Sequence, residues 1–585
     1  MWMPLNCTMR SLDLSNPDAS DKVSAELINA AQAGFLTVWV GAGISYSPPA
    51  SLPLASQMVG STCHAIASEL SISSDVLLAH HGQVMRLEPF LRLVEAVGSF
   101  KDIERLLDVL RQGKPNQNHF ALASLLSMFS GCAVISLNFD YLIEEALQDN
   151  YGKASKVIVP AGPHEECVFP LPTRADAGKA ASSNVVDRII KPHGTLMKDR
   201  GSRGIVATIQ ELGSGLPLSM QERLRNLIHD RILLVIGYSD DDIDLFPIIQ
   251  TTHPRAVYWN TLSNEIPSKV NEWLLQLDKS ISITHLTNKC EYLFNIFPTK
   301  AQTHFPDKSN LNLDDYTQQW VRDLNSVATT ATIAAWLAQD RHRVDDAKRL
   351  YTRALEQEEC KRDKPLCRFI RYRYAELLRH QAEEKRSALT QYLLILQLAL
   401  HRPLDLPLIM VTIRSLASSA RSMSHRNHYL LALTHSLMAT IFLLTALILS
   451  KIISEQQWNS SRFHRDKGGT WLSWEFGMVT LGIAQRMWWP KPIRRFLLNK
   501  AVRMFEISEK STDIYERSAS IFGQARTIGM ISTTENNVKR DKEKLLLKRA
   551  RELFILLDDV KGLENADQLQ KAFDSNGPDP WLSPL

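Results

Sequence analysis

Four short polar clusters in the first half of this chain carry side chains able to do chemistry, and each follows an apolar run. Gly41-Ala42-Gly43-Ile44-Ser45 closes the run 35–40, and Asn138-Phe139-Asp140 closes 132–137. Lys191-Pro192-His193-Gly194 closes 185–190, and Gly237-Tyr238-Ser239, with Asp240, Asp241 and Asp242 behind it, closes 231–236. Glycines at 41 and 43 strip the backbone of side chains where a strand turns toward a helix. Amide N–H groups bared at a helix N-terminus suit a bound pyrophosphate. Taken alone, the same glycines fit any tight strand–helix turn. An asparagine amide both donates and accepts hydrogen bonds, and a histidine titrates near neutrality, as a general base must. The segment 138–140 is also placed to cap the helix expected from Tyr141, a duty compatible with a second role. The acidic run 240–242 invites a cation. Three adjacent acids cannot all face one site, however, and negative charge at a helix N-terminus accounts for them.

The elements that must position these clusters are strands alternating with helices. The runs 35–40, 132–137, 185–190 and 231–236 are continuous and rich in β-branched residues, and further strands are expected near 255–259 and 281–286. Between them the apolar spacing is helical: 22–33, the region 60–112, 119–129 and 141–147. Ser51 or Ser56 is the expected cap of the helix after the glycine turn. Continuous apolar strands separated by helices indicate a parallel sheet covered on both faces, a doubly wound, Rossmann-like α/β domain. Ligands of such sheets bind outside the carboxyl ends of the strands. All four clusters stand at those ends, so one crevice can gather them. Histidines without such context, among them His80, His81, His119 and His229, read as structural.

The composition narrows the function classes. With 585 residues, 44% hydrophobic and 22% charged, the chain has ample apolar material for cores, and roughly two to four domains are expected. A net charge of +4 makes no case for nucleic acid or an anionic membrane as the main partner. Seven scattered cysteines without a C-x-x-C motif argue against a disulfide framework or a zinc ribbon and fit reduced thiols in a cytoplasm. Residues 1–10 lack the basic and apolar regions of a secretory leader.

Taken in order, Gly41-Ala-Gly-Ile-Ser45 with Leu52-Pro53, Leu137-Asn-Phe-Asp140 with Leu142-Ile-Glu144, Lys191-Pro-His-Gly-Thr195, and Ile236-Gly-Tyr-Ser239 with Asp242 resemble the sirtuin-like family. More narrowly, they resemble its bacterial NAD glycohydrolases of anti-phage defence. The likeness covers about 22–290. It implies NAD+ as substrate, with Gly41, Ala42, Gly43 and Ser45 cradling the pyrophosphate and neighbouring ribose. It implies Asn138 and His193 as catalytic residues and Asp140 as a positioning acid. Gly237 and Ser239 would border the second ribose and phosphate, and Asn260 the adenosine half. The chemistry is consistent: breaking the N-glycosidic bond builds oxocarbenium character on the ribose and releases neutral nicotinamide. The site then needs positioning, charge stabilisation and a base near neutrality rather than a strong acid. Two departures matter. The paired C-x-x-C zinc module of the deacylases is absent, which favours hydrolysis and implies no metal. The family's usual glycine before Leu-Pro is Ser51 here.

Beyond about 300 the strand signals stop and helices take over. Ala347, Tyr351 and Ala354 have the small–aromatic–small spacing of a tetratricopeptide-type helix, which returns at Ala501, Phe505 and Ser508 and partly at Ala550 and Phe554. Without a strict period, 313–585 reads as a degenerate helical-repeat domain behind a catalytic domain at 22–295, or as an ordinary helical bundle. The uncharged stretch 429–449 is long enough to span a bilayer, but its His and Thr residues and helical flanks favour a buried helix. Trp471, Trp474, Trp488 and Trp489 fit either a partner interface or a core.

The resulting expectation is a cytoplasmic NAD+ hydrolase whose helical half senses an activator, a phage component or partner subunit, and supports homo-oligomerisation. The alternatives are a non-catalytic sensor of NAD or an ADP-ribose derivative, and, further off, a protein deacylase or ADP-ribosyltransferase. The Gly/Ala/Pro-rich connection 150–185 reads as either a lid or a passive loop.

Overall fold

The computed structural model describes residues 10–78, 85–151, 154–162, 165–170, 185–197, 201–203, 205, 216–238, 245–262, 265–266, 268–277, 281–289, 312–324, 326–358, 360, 364–379, 381, 384–399, 406–423, 438, 441, 445, 473–474, 476–478, 480–481, 491–509, 514–532, 537–556 and 560–574. The chain divides into two compact units, one of 1–61 with 100–320 and one of 62–99 with 321–585.

The first unit is built on a nine-stranded sheet. Its strands are β1 (Arg10–Asp13), β2 (Leu36–Val40), β3 (Ala133–Ser136), β4 (Ala154–Gly162), β5 (Glu165–Pro170), β6 (Val185–Ile190), β9 (Ile232–Ile236), β10 (Ala256–Thr261) and β11 (Ser282–Thr287). The order across the sheet is β1-β11-β10-β9-β2-β3-β6-β4-β5, parallel throughout except for the antiparallel β4–β5 edge. A separate small hairpin joins β7 (Thr195–Met197) to β8 (Gly201–Arg203). The doubly wound expectation holds, and every strand expected from apolar runs is present within a residue or two.

Both faces of the central strands are buried, and the two-residue period of a strand sorts them. Leu36, Val38, Val40, Val134, Leu234 and Ile236 meet Val23 and Leu27 of α1 (Pro17–Gln32), Leu122 of α5 (Gln117–Met128) and Ile143 and Leu147 of α6 (Leu142–Tyr151). On the other face Trp39, Ile135, Val235 and Trp259 meet Leu224 of the helix Leu218–Ile228, Ile249 of Phe246–Gln250 and Trp273 of Ser268–Gln276. Each fully buried aliphatic side chain contributes about 1.5–3 kcal/mol by leaving water. Helix α1 starts five residues before its apolar pattern requires. The Asn16 side chain accepts from Asp18 N–H and Pro17 opens the first turn, so cap chemistry sets the boundary.

From β2 the chain moves to β3 and β6 on one side, then returns to β9 on the other. That reversal makes the carboxyl ends of β2 and its neighbours a topological switch point, where open α/β sheets bind ligands. The connection 150–185 is more than a loop: it supplies β4, which pairs with β6, and β5 beyond it.

The second unit is mostly helical, with consecutive helices packed against each other. Val327–Asp340 packs on Val344–Glu356, and Lys364–Arg379 on Lys385–Ala399, which in turn meets Leu406–Met423. Further on, Lys491–Ser508, Ile514–Ser532, Asn537–Leu556 and Val560–Asp574 pack in sequence. The small–aromatic–small stripe is core: Ala347, Tyr351, Ala354, Ala501, Phe505 and Ser508 are all fully buried. A Cβ on Gly523 would lie 2.8 Å from the Phe505 ring, so the small residue lets these two helices close. Trp474 packs against Phe505 and its neighbours, whereas Trp471, Trp488 and Trp489 lie outside the described residues. Most of 429–449 also lies outside them. Its described members Met438, Ile441 and Thr445 are exposed, and no helix among the described residues is long and apolar enough to cross a membrane.

Candidate active site

At the end of β2 the chain enters a short 3₁₀ turn, Ala42–Ser45, and α2 (Ala55–Leu70) begins ten residues later. The glycines serve a close approach between two backbones. Gly41 N–H donates to Ile236 O at 3.0 Å and Gly43 N–H to Gly237 O at 3.1 Å. A Cβ on Gly41 would fall 2.4 Å from Gly237 O, and one on Gly43 2.7 Å from Gly237 Cα. Gly237 adopts φ +63, a region that L side chains avoid. Two of the amides expected to be bare at a helix N-terminus are therefore spent on the β9 turn, because β2 and β9 are hydrogen-bonded neighbours and their turns must share space. Ser51 stands at φ +45, which explains why a glycine suits that position. Gln57 Oε1, accepting from Leu54 N–H, closes the start of α2.

Ser45 is the junction of the site. Its buried hydroxyl donates to Asp140 Oδ2 at 2.9 Å and lies 3.1 Å from His119 Nε2 and 3.2 Å from Asn138 Nδ2. A carboxylate only accepts, so the Ser45 proton goes to Asp140 and both lone pairs of Oγ receive bonds from His119 and Asn138. The His119 tautomer follows independently. Nδ1 accepts from Asn116 N–H at 3.0 Å, which leaves the ring proton on Nε2. The Asn138 amide is oriented by the same logic: its nitrogen faces Ser45 and its oxygen is turned away from that hydroxyl. Burial pushes the His119 imidazole down to about 4; Asp140 pulls upward and Lys191 adds to the fall. The ring is neutral at pH 7.

His119 comes from the first turn of α5. Asn116 caps that helix, accepting from Asn118 and His119 N–H, and His119 completes the capping box through Nδ1. Asn116 Nδ2 also donates to Ile44 O and Ser47 O, both at 2.9 Å, and Asn118 Nδ2 to Ile44 O at 3.0 Å. One helix start thus straps the Ser45 loop and supplies a ring beneath it. Asp140 has two duties through two oxygens, since Oδ1 caps α6 by accepting from Leu142 N–H at 3.2 Å. In the segment 138–140 the cap is Asp140, which leaves Asn138 for the junction.

The turn after β6 is tied to the same segment. Gly194 N–H closes it onto Lys191 O at 3.0 Å with φ +85 at Gly194. Leu196 N–H donates to Phe139 O at 2.7 Å. The Lys191 ammonium, 1% exposed, meets Glu144 Oε1 at 2.8 Å, Thr195 Oγ1 at 3.3 Å and the carbonyl of Asp140. Two hydrogen bonds and the ion pair with Glu144 together compensate the buried ammonium. Burial raises the Glu144 carboxyl and the adjacent Lys191 pulls it back. The buried His193 rides on this turn, which the Leu196 amide and the Lys191 ammonium tie to the carbonyls of Phe139 and Asp140.

An amide, an imidazole and a hydroxyl–carboxylate pair, set on three adjacent strand ends and α5, can hydrogen-bond a hydroxyl-rich ligand and take up a proton there. Residues 132–255 match the model of the SIR2-like domain family. No curated protein matches the chain. The matched stretch contains Asn138, Asp140, His193 and Gly237, and the fold adds Ser45 and His119 from outside it. A SIR2-like domain fits an NAD-related function.

Of the other residues read from the sequence, Ser239 and Asp240–Asp242 lie outside the described residues. Asn260, buried at the end of β10, gives Nδ2 to Leu286 O at 3.2 Å and Asn288 O at 3.0 Å. Its amide nitrogen ties β10 to the end of β11. Sequence reading took His119 as structural without naming its partners, although a signal for them was present: an Asn-x-x-His start to a helix is a capping box written with an imidazole. It also left Lys191 as part of a motif, without a partner in Glu144.

Proposed function

We propose that the SIR2-like domain hydrolyses NAD+ at the nicotinamide N-glycosidic bond. The observation that carries this reading is the joining of Ser45, His119, Asn138 and Asp140 in one buried network beside the turn bearing His193. In the reaction the bond from the anomeric carbon breaks with its electron pair going to nicotinamide. The ribose carries the developing positive charge, and water adds to give ADP-ribose. Asn138, its amide held by Ser45, orients the ribose or the attacking water; His193 takes the water's proton; Asp140 holds Ser45 and the α6 start in place. Residues held by several bonds lose little freedom on binding, and preorganisation of this kind lowers a barrier without a strong acid.

The helical unit is proposed as a degenerate repeat that senses an activator or supports assembly, its natural setting being anti-phage defence in the cytoplasm. Packing of consecutive helices and the buried small–aromatic–small stripe support the repeat-like reading. The test is incubation of the full chain with NAD+, with nicotinamide and ADP-ribose followed by chromatography. Turnover that falls 100-fold or more in Asn138→Ala and in His193→Ala supports the reading, a loss in the range for a positioned proton-transfer group. NAD+ bound tightly and released intact, together with wild-type expression no more toxic to cells than Asn138→Ala, would overturn it in favour of a sensor.

A further inference from the structure

The helical unit carries an exposed face that neither its core nor the proposed reaction uses. In the helix Lys491–Ser508 the buried side chains include Leu498, Ala501, Phe505 and Ser508. Phe496, Lys500, Arg503 and Ile507 lie on the opposite side, and all four are exposed. At about 100° per residue they fall within an arc of about 60° and cover about 16 Å of the helix axis. Phe496 is 67% exposed and Ile507 45%. Single exposed apolar side chains are ordinary; here two stand on one line with two cations between them. The helix Asn537–Leu556 offers a similar group, in which Leu545 is 67% exposed and Lys548 and Arg549 follow one turn on. Arg549 Nη1 meets Glu509 Oε1 at 2.8 Å, which sets the exposed side of this helix beside the C-terminal end of Lys491–Ser508.

The charge is concentrated in the same place. Lys491–Ser508 holds five basic residues and one acidic, and Asn537–Leu556 seven and three, so each helix alone carries +4, the net charge of the whole chain. Among the described residues neither Lys500 nor Arg503 has an ion-pair partner; the pairs of this region are Arg549–Glu509 and Arg551–Asp567.

We propose that this face docks an acidic amphipathic helix of a partner protein, its carboxylates opposite Lys500 and Arg503 and its apolar side chains over Phe496 and Ile507. The order along the line selects that occupant. A helix lying on an anionic bilayer keeps its cations at the flanks of the apolar stripe, where they reach the headgroups. Lys500 and Arg503 stand on the centre line instead and would be driven toward hydrocarbon. Nucleic acid would meet the cations with phosphate, but Ile507 and Leu545 cannot stack on a base. A helix with acids between two spaced apolar residues satisfies all four side chains. The inference deepens the sensing role proposed for the helical unit and rests on that reading for its purpose. Docking is measured without NAD+, so it and hydrolysis fail separately.

The probe is a displayed library of helical peptides about 18 residues long, enough to cover the line, randomised along one face and selected on the full chain. Enriched sequences should carry acidic residues between two apolar positions with the spacing of Phe496 and Ile507. A synthetic peptide of the commonest sequence should bind saturably, and more weakly as salt rises. Lys500→Glu combined with Arg503→Glu should weaken it at least about tenfold, and Phe496→Ala about tenfold. These side chains are exposed, so the melting curves should not change. The charge-reversed chain should regain affinity for the same peptide with its acids replaced by lysine, which a misfolded variant would not do. No enrichment, or peptides that bind the charge-reversed chain as tightly as the wild type, would overturn the proposal. So would a chain that ignores the peptides but binds phosphatidylserine vesicles, single-stranded DNA or a second copy of itself through these same residues.

Discussion

Lowering the pH should loosen the site through His119, and the amount follows from its bonds. Nδ1 accepts from Asn116 N–H and Nε2 donates to Ser45 Oγ, so a second ring proton would sit on Nδ1 and confront another donor. Burial, with Lys191 adding to it against the pull of Asp140, holds the imidazole at about 4 in the folded chain, against about 6.5 when exposed. The sign is that of a depressed group: the opened state binds the proton first, so stability is intact above 6.5 and is lost as pH falls toward 4. The full shift corresponds to roughly 3 kcal/mol, of which about 2 kcal/mol, or a 30-fold change in the opening equilibrium, is lost between pH 8 and pH 5. Because the chain has two units and global unfolding need not be two-state, the assay is peptide-resolved hydrogen exchange over 114–128, corrected for the intrinsic pH dependence of exchange. Protection in the wild type should fall about 30-fold beyond that correction. In His119→Asn, whose side-chain oxygen can still accept from Asn116 N–H, the extra fall should vanish. Equal pH slopes in the two proteins would refute the tautomer and the neutral ring together.

Two further perturbations test the supports of the site. Lys191→Met leaves the Glu144 carboxyl buried without its counter-charge and should destabilise the region by about 3–5 kcal/mol; exchange of the Leu196 amide, which donates to Phe139 O, reports it locally. The double variant Lys191→Met with Glu144→Leu should recover most of that protection, and failure to do so would mean the pair is not the cause. Gly237→Ala forces a Cβ to within 2.9 Å of Gly43 Cα and Ile44 N at φ +63. The backbone conformation alone costs about 1–2 kcal/mol and the contact adds to it, so the melting temperature should fall by several degrees, whereas Gly113→Ala meets mainly the flexible Leu52 side chain and should fall less.

The parts of this fold visible in the sequence were those with a one-dimensional signature. Leu36–Val40 and Ile232–Ile236 announce themselves because strands buried on both faces must be continuously apolar. Strand β1 does not: Arg10–Asp13 is largely exposed at the sheet edge and exists through its backbone pairing with β11. Strand β5 was hidden because it lies at the sheet edge, and β4, whose Val157-Ile158-Val159 is buried, was passed over because its apolar run is only three residues long within a Gly/Ala/Pro-rich stretch. At the site, Asn138 and His193 were legible as polar residues at strand ends. Their dependence on Ser45, His119 and Lys191 was not, because those bonds connect positions that only the crossing of β2, β3, β6 and α5 makes adjacent. The glycines show the same limit. Their presence was readable, but the reason for them is a backbone nearly two hundred residues away.

The sheet order also orients the proposed substrate. Along the carboxyl edge the turns follow the sequence Gly237, Gly41–Ser45, Asn138–Asp140, Lys191–His193, because β9, β2, β3 and β6 are successive neighbours. Adjacent strands are about 4.8 Å apart, so these four ends span about 14 Å. The glycine turns stand at one limit of that span and His193 at the other, with Ser45 and Asn138 between. Under the proposed function, a dinucleotide bound along the edge would turn its nicotinamide ribose toward the imidazole and its pyrophosphate toward the glycine turns. The reverse orientation would bring phosphate charge onto the Asp140 side and leave the scissile bond among glycines that offer neither acid, base nor amide side chain. The first orientation is therefore the one the proposed reaction requires, since it sets the scissile bond beside Asn138 and His193.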